Sequence, residues 1–491
     1  MKSFNELARF DILILASAVL LVAGIYLLMS RLTYAIGFPL DDAWIHQTYA
    51  RNLALHHEWA FRPGIVSAGS TSPLWSAILS IGFLLHLSPY IWTYFLGALI
   101  LFMIALVGEW GARQIMIFYR PRIPWVGLFL ICEWHLTWAA LSGMETLLHA
   151  LLITTVLVLL LTKSRRYLTL GMLTGLSVWV RPDGLTLLGP ALIMILIIES
   201  DMQLRLRAII QYLIGFGALI GPYLLFNLAI GGTPMPNTFY AKQAEYANWQ
   251  AKPILERLGQ MLLQLFTGPS MVLFPAMIGW VVVSIKRRDW ATLTIMAWCT
   301  GYILIYILRL PVYQHGRYII PAMPILFLFG LIGMIGFAYT TMFNRYHWFV
   351  NTLWQFSAGM VMFLFIILGA RSYAQDVAVI ESEMVVTAKW VARNLPNDAL
   401  VAAHDIGALG YYDHHEIIDL AGLISPEVIP FIRDEPRLAI YLNERGADYL
   451  IAFPEFYPLL TRTAKSVFVT KGPFAPIFKQ KNMSVFRWES P

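Results

Sequence analysis

Charge is scarce in this sequence. Lys, Arg, Asp and Glu make up 13% of its 491 residues, against about 25% in an ordinary soluble domain. That is too little to coat the surface of a water-soluble protein this long. Cysteine is scarcer still. Cys132 and Cys299 each sit inside an apolar run, which excludes a disulfide-stapled secreted scaffold and speaks against metal or redox chemistry through sulfur. There is no internal repeat and no low-complexity tract, which weakens an inverted-repeat transporter reading. No glycine-rich loop of the kind that cradles nucleotide phosphates is present. What abounds is apolar surface: 58% of residues are hydrophobic and 14% aromatic, which rules out disorder. The net charge of +6 is concentrated in short loops, a pattern of membrane orientation and not of nucleic-acid binding.

A membrane-crossing helix needs about 17–25 mostly apolar residues. Segments 12–30, 91–110, 123–141, 146–161, 167–180, 185–198, 208–230, 270–285, 291–308, 318–339 and 348–368 meet or approach that length, so about eleven spans are expected. The first is too long for a secretory core and lacks a small-residue cleavage pattern, so it reads as an uncleaved span. Clusters at Arg113/Arg120/Arg122, Lys163/Arg165/Arg166, Arg205/Arg207, Lys286/Arg287/Arg288 and Arg345 then share one side with Lys2 and Arg9. The positive-inside rule makes that side cytoplasmic, with the N-terminus. Segment 73–87 is short, and counting it as a crossing reverses the parity. It reads as a helix lying on the outer leaflet.

Beyond 370 the composition turns polar. Helical spacing is expected over 376–395, strands at 399–403, 416–420, 448–453 and 481–488, and a helix at 437–445 closed by Gly446. The fold class is thus a polytopic all-α membrane domain (1–370, first outer loop 37–90) followed by an extracytoplasmic α/β domain (371–491).

The opposite side holds the residues suited to chemistry. Asp41-Asp42 stands just past the first span, and Asp42, His46 and Tyr49 share a helix face by i, i+4, i+7 spacing. One carboxylate suffices for a helix cap. The second suits a general base whose pKa is raised at the membrane boundary. Ser70-Thr71-Ser72 before Pro73 suits a turn into a helix and contacts to sugar hydroxyls. Glu145, Arg181 and Asp183 lie at outer helix ends, where mutual ion pairing is the simplest role. In the loop 231–242, Asn237 suits a sugar hydroxyl and Lys242 a phosphate. Arg317 suits a bidentate phosphate grip, and His315 a hydrogen bond or a metal. Glu133 and His135, within a span, are the features that favour a proton-coupled transporter or lipid flippase instead.

Together these segments resemble the integral-membrane glycosyltransferases of the GT-C class. The likeness is to bacterial cell-wall arabinofuranosyltransferases that use decaprenyl-phosphate arabinose, and more distantly to protein O-mannosyltransferases and lipid A aminoarabinose transferase. It rests on Asp41-Asp42 with Tyr49-Ala50-Arg51-Asn52-Leu53, Phe61-Arg62-Pro63-Gly64, and the segments 70–75, 142–145, 181–184 and 236–242. Arg317-Tyr318 with Pro321, Asp405-Ile406-Gly407-Ala408-Leu409-Gly410-Tyr411 and Ile418-Asp419-Leu420-Ala421-Gly422-Leu423 complete it. Gly69-Ser70 departs from the pattern, in which an acidic residue and glycine often stand there.

The resemblance implies inverting transfer of a pentose such as arabinofuranose, or a hexose, from a polyprenyl-phosphate donor to a hydroxyl of an extracytoplasmic glycan, lipid or protein. It implies Asp41 as base with Asp42 as partner. Lys242, His315, Arg317 and Tyr318 are then expected at the donor phosphate. His46, Tyr49, Arg51, Ser70, Thr71, Ser72, Glu145, Arg181, Asp183 and Asn237 are expected at the substrates. No cofactor is required, and a divalent cation on Asp42 and His315 is left open. The expected place is the inner cell membrane; the oligomeric state is not encoded in any pattern here.

Overall fold

The computed structural model describes residues 7–116, 121–338, 347–462, 464–477 and 480–489. Lys2, Arg120 and Arg345, counted above for orientation, lie outside the described residues. Seven described helices are long and apolar enough to cross a membrane: Arg9–Thr33, Pro89–Ile115, Met202–Gly231, Ser270–Arg287, Trp290–Arg309, Gln314–Ala338 and Thr352–Asn394. Their outward faces carry exposed Leu, Ile, Val and Phe side chains in rows, as at Leu13, Leu20, Leu21 and Leu28 on the first helix, which a lipid surface suits. Thr146–Leu161, Tyr167–Val180 and Pro182–Ile198 are apolar but shorter.

Three expected helices take another form. The segment 123–141 is two helices, Trp125–Cys132 and Trp134–Leu141, broken at Glu133. There the backbone opens to ψ 117°, and the carboxylate accepts the N–H groups of His135 and Leu136, so it starts the second helix. The segment 185–198 begins in a 3₁₀ turn, Pro182–Leu187. The last span and the polar helix after it are continuous: His347–Val379 runs through a π turn, Ile380–Val385, into Val386–Asn394. No proline or glycine stands between Ala370 and Leu395 to end the helix where its hydrophobicity fades.

Arg113 also departs from a purely topological role. It is buried between Asp11 at 2.9 Å and Glu109 at 2.8 Å, where leaving any member unpaired is costly. An amphipathic helix, Ile254–Phe266, was not legible. It buries Arg257, Met261 and Leu265 and exposes Leu255 and Leu263.

The first loop after the Arg9–Thr33 helix (α1) holds α2, Asp42–His56, a short hairpin of β1, Ala60–Arg62, and β2, Ile65–Val66, and α3, Pro73–Leu84. Pro73 at the first helical position and the Ser72 hydroxyl, accepting from the Trp75 N–H, start α3.

The C-terminal domain is a five-stranded sheet of β3, Leu400–Ala403, β4, Glu416–Asp419, β5, Tyr449–Ala452, β6, Lys465–Val469, and β7, Ser484–Arg487. Its order is β4-β3-β5-β7-β6, parallel across the first three strands and antiparallel after. Helix Glu435–Arg445, ended by Gly446 at φ +70°, buries Leu438 and Leu442 with Ala402, Ile418 and Leu450 of the sheet. Strand β6 escaped the pattern reading because its side chains are mostly exposed on both faces. The domain packs on the end of the bundle that carries α2, so loop residues of both halves meet in one seam.

Candidate active site

Asp41 and Arg51 of the α2 region grip a single helix of the C-terminal domain, Gly407–Tyr412. The Asp41 carboxylate accepts the N–H of Gly407 at 2.6 Å and of Ala408 at 2.8 Å. Arg51 donates to the carbonyls of Tyr411 at 2.6 Å and Gly410 at 3.2 Å. The anion is thus at the helix start and the cation at its end, the sense the peptide dipoles favour. A side chain at 407 overlaps the Asp41 carbonyl, which accounts for glycine there. Burial, and after it the charge of Asp405, pushes the Asp41 carboxyl up to about 7, against the pull of its two N–H partners. Each Asp41 oxygen thus accepts one N–H of the C-terminal domain and helps dock that domain on the first loop. Asp41→Ala is expected to cost about 2 kcal/mol, the scale of hydrogen bonds to a charged group. It is also expected to speed proteolytic release of the C-terminal domain in limited digestion, and wild-type digestion kinetics contradict this.

Asp42 points the other way. Its Oδ2 lies 2.8 Å from Arg317 Nη2, and its side chain keeps 34% exposure. Burial works to raise its pKa; Arg317 and Lys242 outweigh that and hold it below the usual carboxylate range. Arg317 is buried, and its Nη2 also donates to the Tyr318 hydroxyl at 3.1 Å. Its Nε and Nη1 have no hydrogen-bond partner among the described residues. Lys242 Nζ stands 5.5 Å from the centre of the Tyr318 ring and forms no ion pair among the described residues. The guanidiniums of Arg317 and Arg181 face the same ring at 5.0 Å and 5.4 Å.

Behind this pair is a closed network. Arg181 bonds Glu145 at 2.8 Å and Asp183 at 3.2 Å. Asp183 accepts the hydroxyls of Tyr302 at 2.5 Å and Tyr306 at 2.6 Å. Glu145 also meets His46 at 3.1 Å, whose other ring nitrogen lies 3.0 Å from Ser76 and 3.4 Å from Ser70. Tyr49 holds the loop at Ser67 and Gly69, and Asn237 donates to the Leu423 carbonyl. The Asn237 bond joins the bundle to the C-terminal domain. Thr71 is half-buried beside the capping Ser72.

His315 is not at the Asp42 site. It lies in a turn where Gln314, His315 and Gly316 all have positive φ. Its Nε2 is 2.7 Å from Asp376, which also accepts from Trp138 Nε1 at 2.9 Å. The imidazole therefore braces the turn that presents Arg317. Asp42 pairs with Arg317 and His315 with Asp376. Among the described residues, the one group of three metal-capable side chains within 4.8 Å is Asp413, His414 and His415. Glu133 and His135, the transporter candidates, bond each other at 2.7 Å at the helix break.

Four residues escaped the sequence reading: Glu245, His404, Asp405 and Arg433. Glu245 lies 2.7 Å from Arg433 and 3.3 Å from His404. Only Asp405 belonged to a recognised segment, and that segment carried no role.

This chain has the GT-C fold. The crystal structure of ArnT from Cupriavidus metallidurans bound to undecaprenyl phosphate superposes with TM-score 0.61 at 15% identity, over 95% of this chain and 97% of that one. The apo Archaeoglobus fulgidus oligosaccharyltransferase gives 0.57 at 10% identity, over 93% of this chain and 73% of that one. The A. fulgidus enzyme AglB, with an inhibitory peptide and a dolichol-phosphate, gives 0.54 at 10%, over 91% and 70%. Residues 372–486 match a family described as a domain of unknown function, DUF8728. No curated protein is significantly similar in sequence.

Proposed function

We propose that the protein is a glycosyltransferase that moves a sugar from a polyprenyl-phosphate carrier to an acceptor hydroxyl on the extracytoplasmic side of the membrane. The observation that carries this reading is the buried Arg317 guanidinium, two of whose nitrogens lack a partner among the described residues, facing the same Tyr318 ring as Lys242. Buried donors left without partners are costly, and an anion with several oxygens satisfies them. A phosphate attached to a lipid reaches such a site from the bilayer. The undecaprenyl phosphate in ArnT and the dolichol-phosphate in AglB support the same ligand class in this fold.

In this mechanism the acceptor oxygen attacks the anomeric carbon as the C–O bond to phosphate breaks, inverting the centre. Positive charge develops on the sugar, and Asp42 stabilises it. The leaving phosphate needs cations and no proton, so Arg317 and Lys242 suffice and no cofactor is called for. Arabinofuranose or a hexose fits as donor sugar, and a glycan, lipid or protein as acceptor. The transporter reading draws no support from Glu133, whose carboxylate caps a helix.

Purified protein given a panel of polyprenyl-phosphate pentoses and hexoses with glycan, lipid and peptide acceptors is expected to release polyprenyl phosphate with at least one donor. Release from none of them contradicts the reading.

A further inference from the structure

Six other carboxylates stand in or near this seam, and each has partners. Asp41 holds two backbone N–H groups, Asp42 holds Arg317, and Glu145 holds Arg181 and His46. Asp183 holds Arg181 and two tyrosines, Asp376 holds His315 and Trp138, and Glu245 holds His404 and Arg433. Asp405 is the exception. Among the described residues it makes no hydrogen bond and no ion pair, although its Oδ2 is buried.

Its place in the fold is equally specific. Asp405 lies two residues beyond the carboxyl end of β3, between two parallel neighbours, the end of a parallel sheet where ligands bind. The next turn delivers the Gly407 and Ala408 N–H groups to Asp41, so Asp405 is held in the seam beside the adjacent Asp42.

We propose that Asp405, supplied by the C-terminal domain, is the general base that takes the proton of the acceptor hydroxyl. This rests on the sugar-transfer reading and deepens it. The unpartnered donors of Arg317 suit the anion that leaves, and the unpartnered acceptor of Asp405 suits the hydroxyl that attacks. The hydroxyl proton passes to the Asp405 carboxylate as the oxygen bonds to the anomeric carbon. The C–O bond breaks with its electron pair on the phosphate, and Asp405 later returns its proton to water.

The groups facing Asp405 tune it. Burial raises its pKa, as do the charges of Asp42 and Glu245, while His404 and Arg433 lower it, and the net direction is up. The Asp41 carboxyl, itself raised in part by Asp405, faces it from the residue before α2. A base poised nearer neutrality takes up a proton more readily than an ordinary carboxylate.

The test uses full-length protein in detergent with the donor and acceptor that the panel identifies. Asp405→Asn is expected to lower kcat at least 100-fold, to leave undecaprenyl phosphate binding and the melting temperature near wild type, and to abolish the acidic limb of the kcat/KM profile. Asp405→Glu is expected to recover part of kcat. Unchanged kcat in Asp405→Asn overturns the assignment, as does a loss of kcat matched by lost lipid binding. Where wild type transfers from no donor, the sugar-transfer reading itself fails. Dicyclohexylcarbodiimide, which modifies protonated buried carboxylates, then tests Asp405 without a substrate. Labelling is expected at Asp405 ahead of Asp42, which Arg317 and Lys242 hold ionised, and Asp42 labelled ahead of Asp405 overturns the proposal.

Discussion

Arg317→Ala is expected to abolish saturable binding of undecaprenyl phosphate at micromolar lipid and to lower sugar transfer by about 100- to 1,000-fold, the equivalent of ~3–4 kcal/mol. The guanidinium is buried, so its hydrogen bonds to an anion are made without competition from water and are of the strong, charge-assisted kind. Removing it also takes from the partly exposed Asp42 its ion-pair partner and leaves that carboxylate to the charge of Lys242. Arg317→Lys separates these contributions. It restores the charge near Asp42 but not the fork of nitrogens, so partial recovery of binding is expected, short of wild type. Fluorescence titration of the purified variants with undecaprenyl phosphate reads the effect directly. Binding within threefold of wild type in Arg317→Ala removes Arg317 from the phosphate site.

Asp42→Asn is expected to act in the opposite sense on binding and in the same sense on turnover. The carboxylate competes with an incoming phosphate for Arg317, since it already holds Nη2 at 2.8 Å. The neutral amide relaxes that competition, so undecaprenyl phosphate is expected to bind as tightly as in wild type or several-fold more tightly. Transfer is expected to fall by about 1,000-fold, the scale of losing one preorganised electrostatic group at a developing charge. Because Arg317 and Lys242 hold the Asp42 pKa below the usual carboxylate range despite burial, Asp42 stays ionised throughout the neutral range. The acidic limb of activity therefore belongs to a group with a raised pKa and is expected to persist in the residual activity of Asp42→Asn. Retention of turnover in Asp42→Asn, measured by release of polyprenyl phosphate, contradicts the catalytic role.

The contrast between Asp41 and Asp42 shows how far a sequence alone reaches. Adjacent carboxylates past the first span mark the region, but i, i+4 spacing does not say which one meets Arg317. That is decided by the Gly407 and Ala408 N–H groups, more than 360 residues away. His315 was legible as a polar residue beside Arg317, yet its partner Asp376 belongs to a helix read as beginning in a separate domain. Apolar run length marked where helices form, because burial in lipid leaves a composition signal that needs no partner, but of about eleven expected spans seven described helices are long and apolar enough to cross. The break at Glu133 carried no such signal, since a single carboxylate inside an apolar run reads equally as a buried ion pair. Strands β3, β4 and β5 were legible as buried apolar runs and β7 by alternation, whereas β6, mostly exposed, has no hydrophobic run to find. Asp405 is the sharpest omission, because its distinction is the lack of a partner, which no linear pattern encodes.

A cryo-electron microscopy structure of the protein with undecaprenyl phosphate tests the central claim most directly. The account predicts the lipid phosphate within hydrogen-bond distance of Arg317 Nε or Nη1 and of Lys242 Nζ, with the space between it and Asp405 open for a sugar and a hydroxyl. A phosphate bound at the opposite ends of the helices, or one that leaves those Arg317 nitrogens without a partner, contradicts it.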